Sequence, residues 1–438
     1  MDKVFTSQKV GVNMFKNRWL VAIILLIGVV LIVTGCGTSN DDNGQQDQSE
    51  PVIPSHIDYD GDDSKQIIDP QNELGFKLLS KVEADEDDNI FISPTSLFMA
   101  LSMVLNGADG MTKDEMTKTL QSKGIEVDEL NKANAALLAK LHETSSSELN
   151  IANSFWLNDM YSLEDDFQKN TTDHFNAKVE EIDIDDSTSA DVINDWVEQA
   201  TNEKITDMVD YPFNQDLIAF IINAIYFKGD WQYEFDSNLT KKHDFKTGDD
   251  GSVQVPLMTL DETLNYLETD KFQAVELPYT DQEMSMHVFL PKEDFSLDEL
   301  TQSLTLDQWN QWQDEFSETE GTLLLPKFEL EYEVILNDPL RKLGMKTAFD
   351  LGKAEFPNMT QGNDEIAISE VKQKSYVMVN EEGTEAAAAT SSEMETTSFN
   401  PDSFEMSVNR PFFFTITDNK TGAILFMGSI SEPPRIEE

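Results

Sequence analysis

The stretch LIAFIINAIYF, residues 217–227, constrains the fold more than any other part of the chain. It is nearly all apolar and rich in Ile, Phe and Tyr, so it reads as a strand. A strand turns successive side chains to opposite faces, and a run without polar alternation needs cover on both. The chain must therefore build a large sheet with layers on each side. Its 438 residues are enough for such a core.

Helical signals fill the first half. DPQNELGFKLLSKV sets Asp69 at an N-cap and Pro70 at the first helical position. SPTSLFMALSMVLNG repeats the pattern with Ser93 and Pro94 and stops at Gly107. Thr112 and Glu115 read as a capping box at the head of a helix that ends by Gly124. Further helices are expected over 127–143, 163–175, 187–203 and 297–316. β-Rich runs include LNIANSFWLN, VQVPLMTL, AVELPY, MSMHVFLP, TLLLPKFELEYE and IAISEVKQKSYVMVN. PFFFTIT and AILFMGSI flank DNKTG near the end and read as a hairpin. Helices dominate the first half and strands the second, so the class is α+β.

The formal net charge is −52. So acidic a surface argues against a nucleic-acid partner, whose phosphates need cations. The simplest reading is solubility. Residues Trp19 to Val33 are uniformly apolar behind Lys9, Lys16 and Arg18, which is short for a membrane span and fits the core of a signal peptide. VTGC follows, and Cys36 is the chain's one cysteine, so no internal disulfide forms. VTGC resembles the lipobox of bacterial lipoproteins, which implies cleavage of residues 1–35 and a lipid on Cys36. A plain N-terminal anchor is the alternative. Either way the expected location is extracytoplasmic, at the surface of a bacterial cell membrane. Losing residues 1–35 removes four cations and one anion, and takes the formal charge to −55. Residues 36–68 are polar and read as a disordered tether, with the folded domain at 69–438.

Familiar catalytic signatures are missing from the sequence. It has no Gly-rich nucleotide loop, no Cys or His pair at metal spacing and no G-x-S-x-G elbow. The HET at His142 lacks a second histidine. His56, His142, His174, His243 and His287 have no evident partners in the sequence, so no enzyme, metal or cofactor is expected.

One segment remains: NEEGTEAAAATSSEMETTSFNP, residues 380–401, between two strand-like runs. Laid out as a strand, residues 384–396 sort their charges. Thr384, Ala386, Ala388, Thr390, Ser392, Met394 and Thr396 share one face, all uncharged. Glu385, Ala387, Ala389, Ser391, Glu393 and Glu395 share the other. The segment can thus enter a sheet with the first face buried and the second wet. Its Ser and Thr content equally suits an exposed loop, and a loop that becomes a strand needs both properties.

EEGTEAAAAT resembles the hinge of the inhibitory serpins. NIFISPTSLFMALSMVLNGA, INAIYFKGDW, LPKFELEY and VNRPFFFTITDNKTGAILFMGSI are similar to serpin segments in the same order, over residues 69–433. The resemblance implies a single monomeric domain of three β-sheets and about nine helices with an exposed reactive-centre loop. It implies a suicide substrate for serine proteases, whose cut loop inserts into the main sheet. Glu381, Gly383, Thr384, Glu385, Ala386, Ala387, Ala388, Ala389 and Thr390 match the hinge. Ser93, Ser96 and Asn223 match the region where the sheet opens, and Trp231 and Lys327 match its top, Lys327 paired with Glu381. Gln373 stands where the family usually has a histidine.

By the family's spacing from Gly383, the reactive bond is Thr397–Ser398. The loop is longer than usual, so Phe399–Asn400 competes. No Lys or Arg lies between Lys374 and Arg410, which argues against a trypsin-like target and for an elastase- or subtilisin-like one. Two rivals stay open: a non-inhibitory serpin acting as a binding protein or simple substrate, and a hydrolase.

Overall fold

The computed structural model describes residues 53–143, 147–248, 251–362, 365–384 and 403–436. Cys36, the apolar segment before it, and residues 385–402 with both expected reactive bonds lie outside the described residues. The helices are α1 (Lys65–Leu79), α2 (Pro94–Leu105), α3 (Gly110–Thr119), α4 (Val127–His142), α5 (Asp165–Phe175), α6 (Thr188–Ala200), α7 (Leu297–Ser303), α8 (Leu306–Glu315) and α9 (Asn337–Leu343). The strands are β1 (Ile90–Ile92), β2 (Ser147–Asn158), β3 (Lys178–Ile182), β4 (Ala219–Asp230), β5 (Lys241–Lys246), β6 (Ser252–Glu268), β7 (Phe272–Pro278) and β8 (Met284–Pro291). They continue with β9 (Ser317–Pro326), β10 (Phe328–Ile335), β11 (Ile368–Val379), β12 (Gly383–Thr384), β13 (Phe404–Ser407), β14 (Phe412–Asp418) and β15 (Ile424–Ile430).

The doubly covered strand expected at 217–227 is β4, in the middle of a six-stranded sheet ordered β10-β11-β12-β4-β2-β3. Ala219, Ile221, Ile225 and Phe227 join the main core. Phe220, Ile222, Ala224 and Tyr226 point the other way, into a second core with Ala190, Ile193 and Val197 of α6. Period-two alternation thus supplies one side chain to each layer in turn. Among the described residues the second hydrogen-bonded network has nine strands. It divides along β6: residues 252–257 pair with β5, 257–266 with β9, and 265–268 with β7. The β5, β6, β9 and β13 end and the β7, β8, β14, β15 and β1 end are the other two sheets expected, fused through one long strand.

Four local readings change. α1 begins at Lys65, not Asp69, and Pro70 lies inside it. The start signal is Asp60, which forms a capping box with Asp63 ahead of a 3-10 turn that runs into the helix. The folded part therefore reaches into the expected 36–68 tether: Ile53 packs on the main core, and Ser64 is buried and accepts from Lys140 Nζ at 3.0 Å. Thr112 and Glu115 do not cap α3, whose N-cap is Asp109. Thr112 Oγ1 instead accepts from the Glu355 amide at 2.9 Å, and Glu115 accepts from the amides of Lys346 and Thr347. The 297–316 helix is two helices. Leu304 is extended and Thr305 caps α8, accepting from the Gln308 amide at 3.2 Å. TLLLPKFELEYE is likewise two strands in different sheets, and the change falls at Lys327, after Pro326 has ended β9.

Candidate functional site

The site lies along the seam between β4 and β11. These two strands run parallel to each other, whereas β4 is antiparallel to β2 and β11 antiparallel to β10. A strand antiparallel to both would fit between them and turn that parallel contact into two antiparallel ones.

A buried polar network bridges the middle of the seam. Asn223 of β4 and Gln373 of β11 sit in register, and Gln373 Nε2 donates to Asn223 Oδ1. Gln373 also clamps the backbone of Ser93, accepting from its amide at 3.0 Å and donating to its carbonyl at 3.1 Å. Asn223 Nδ2 donates to Ser96 Oγ and to Asn153 Oδ1. Ser93 caps α2 as expected, its Oγ accepting from the Ser96 amide at 3.2 Å. Ser93, Ser96, Asn223 and Gln373 are all fully buried. Gln373 fills both roles at Ser93 because an amide donates and accepts at once.

The top of the seam holds a second cluster. Trp231 Nε1 donates to the Asn380 carbonyl at 2.9 Å, and the Trp231 amide donates to the Glu382 carbonyl. Lys327 Nζ pairs with Glu381 Oε2 at 2.9 Å, and Thr240 Oγ1 donates to Glu381 Oε1 at 2.8 Å. Burial pushes the Glu381 carboxyl up, but the bonds from Lys327 and Thr240 outweigh it and hold the group below its ordinary range. Asn380 Oδ1 accepts from the amides of Glu382 and Gly383, closing a turn that sends the chain back down the seam.

That return is β12. Gly383 pairs with Asp230, and Thr384 with both Gly229 and Val379, antiparallel on each side. A Cβ on Gly383 would lie 2.2 Å from the Gly229 carbonyl oxygen, so only glycine allows the approach. Thr384 is fully buried, which agrees with its place on the uncharged face.

The geometry thus joins Ser93, Ser96, Asn223 and Gln373 in one cluster and Trp231, Lys327, Glu381, Gly383 and Thr384 in another. Glu385, Ala386 to Ala389, Thr390, Thr397, Ser398, Phe399 and Asn400 lie outside the described residues. Asn153, Thr240, Asn380 and Tyr279, whose hydroxyl lies 2.8 Å from Thr384 Oγ1, also take part and were missed. Asn153 had a visible signal as a polar residue within an apolar strand, whereas Tyr279 acts through a pairing no sequence pattern announces. Among the described residues no group of His, Cys, Asp and Glu is placed to hold a metal, and no helix is long and apolar enough to cross a membrane.

The family model for serpins (serine protease inhibitors) matches residues 69–433. Iripin-2 of Ixodes ricinus is 32% identical, with 82% of this chain and 92% of that protein aligned. A serpin-like protein of Methanosarcina acetivorans is 30% identical over 94% of this chain and 98% of its own length. The solved native state of the thermophilic serpin tengpin superposes with a TM-score of 0.78 at 30% identity, covering 87% of this chain and 97% of that one. The chain belongs to the serpin family, whose members are mostly protease inhibitors rather than enzymes. Human thyroxine-binding globulin complexed with thyroxine has a TM-score of 0.77 at 24% identity, a likeness of fold alone.

Proposed function

We propose that the protein inhibits an elastase- or subtilisin-like serine protease as a suicide substrate. The protease serine attacks the Thr397 carbonyl, the Ser398 amine leaves with a proton, and an acyl-enzyme forms. The freed loop then enters the β4–β11 seam and carries the enzyme with it before water can complete hydrolysis. Phe399–Asn400 is the alternative bond. We further propose that Cys36, lipidated after loss of residues 1–35, holds the domain at the outer face of a bacterial membrane.

The observation that carries this reading is β12. Its pairing of Thr384 with Gly229 and Val379 fixes the register of any continuation. Ala386 would fall opposite Phe227 and Val377, Ala388 opposite Ile225 and Ser375, and Thr390 opposite Asn223 and Gln373. This side faces the main core, to which Phe227 and Ile225 belong. On the other side Ala387, Ala389 and Ser391 would lie beside Tyr226, Ala224 and Ile222, in the core that α6 covers. That face is less wet than the sequence alone implied, yet its residues are small where cover exists. Glu385 would sit beside Lys228, which is only partly exposed.

Mixing the domain with elastase, subtilisin, chymotrypsin and trypsin tests the proposal. Complexes that survive boiling in detergent should form with the first two. A chain cut at the loop and released by every protease would instead favour the second reading, a non-inhibitory serpin acting as a binder or simple substrate.

A further inference from the structure

Tyr279 lies beside β12 and belongs to neither group of residues that the sequence singled out. It is fully buried, directly after β7, and its hydroxyl meets Thr384 Oγ1 at 2.8 Å. Its ring stacks on Trp231, centroids 4.6 Å apart and planes 14° from parallel, and meets Phe227 edge-on at 5.0 Å. The Tyr279 amide donates to the Met284 carbonyl at 2.9 Å, and a bridge joins its backbone to Trp231. Gly229 makes room for the ring: a Cβ there would come within 2.9 Å of Tyr279 Cδ1. Burial raises the hydroxyl's pKa well above its ordinary value, so it stays protonated and neutral.

We propose that Tyr279 is a positioning residue for loop insertion, holding Thr384 as the first rung of the incoming strand. This rests on the trapping mechanism proposed above and adds the group that sets its starting register. Two facts support the role. A buried hydroxyl needs a partner, and Thr384 is the hydrogen-bond partner of this one. The ring that carries it is held by Trp231, Phe227 and its own backbone, so the hydroxyl is a fixed point against which Thr384 is registered. A strand slipped by one residue would bring Gly383 or Glu385 to that point. Glycine offers no side-chain partner, and a carboxylate would have to enter a dry pocket.

The test uses Tyr279→Phe, Thr384→Val and the double variant, each in the intact protein. Hydrogen exchange at the Gly383 and Thr384 amides reads docking directly, without a protease. Each single variant should exchange about tenfold faster there, as expected for loss of one buried hydrogen bond, and the double no faster than the worse single. Stoichiometry of inhibition reads positioning: more loops should be cut and released per protease trapped in each single variant. Unchanged exchange at the two amides overturns the proposal. So does faster exchange with unchanged stoichiometry, which would make Tyr279 merely structural. A wild-type protein that traps no protease sinks the trapping mechanism and the positioning role with it, while the exchange data still report whether Tyr279 docks Thr384.

Discussion

Placing a cation at Thr384 tests the inserting face most severely. Thr384 is fully buried between Gly229 and Val379, with its hydroxyl on Tyr279. Thr384→Arg would put a guanidinium in that pocket, where the hydroxyl of Tyr279 is the observed side-chain partner. Burying an unpaired ion costs several kcal/mol even after relaxation, and the orphaned Tyr279 hydroxyl adds about 1–3 kcal/mol. At about 1.4 kcal/mol per factor of ten, the first step of insertion should slow more than about a hundredfold. The hinge should leave the seam even in the uncut protein, while the protease cuts as before. Glu385→Arg, one residue on, would meet Lys228 as a like charge in the projected register, but on a side that keeps some access to solvent, so it should cost far less. The assay is titration of elastase and subtilisin with each variant, counting trapped complex against released, cut chain. Equal loss of trapping in both variants would refute the face assignment.

Thr390→Arg should arrest insertion later than Thr384→Arg, because its register falls at Asn223 and Gln373; proteolytic mapping of the arrested complexes should show residues 384–388 protected and those beyond it open. Gln373→His should steepen the pH dependence of stability, because imidazolium has no acceptor for the Ser93 amide; below about pH 6.5 the melting temperature should fall further in the variant than in the parent, where buried His287 already resists protonation. The Glu381 carboxyl is held below its ordinary range, so its contribution is present above the unfolded value and lost as pH falls through the folded one. Glu381→Gln should therefore lower the melting point at pH 7 and make little difference well below pH 4. A chain with no cation between Lys374 and Arg410 should spare trypsin, and mass spectrometry of the released C-terminal peptide should show it beginning at Ser398 or Asn400.

Features that depend on one element and its immediate neighbours were legible in the sequence. β4 was, because a doubly covered strand has to be apolar at nearly every position, and so was the Ser93-Pro94 start of α2. Thr112 and Glu115 have the spacing of a capping box but spend their hydrogen bonds on the 346–355 segment, far away in the chain. Leu300, Leu304, Trp309 and Trp312 keep one apolar face across the α7–α8 break, so periodicity hid it. α9, at Asn337–Leu343, is too short to show a period. In the site, Gln373 and Asn223 were found by likeness to a family, since nothing local tells a polar residue in an apolar strand which strand it will meet. Histidines without evident partners in the sequence proved placed: His56 pairs with Asp173 at 3.0 Å, His174 Nδ1 lies 3.1 Å from the Asn170 carbonyl oxygen, and His287 is buried under Trp309 and Phe316.

Calorimetry of intact and loop-nicked protein, at one pH and salt concentration, tests loop insertion most directly. After a cut near Thr397, residues up to Thr396 can follow Thr384 down the seam. Each added backbone hydrogen bond contributes about 0.5–1.5 kcal/mol net, and Thr390 and Met394 become buried on the core side. Together these should exceed the roughly 5–15 kcal/mol by which an ordinary domain is stable. Nicked protein should therefore melt far above intact protein although it has lost a peptide bond. A transition that stays in place or falls on nicking would mean that the loop does not enter the β4–β11 seam.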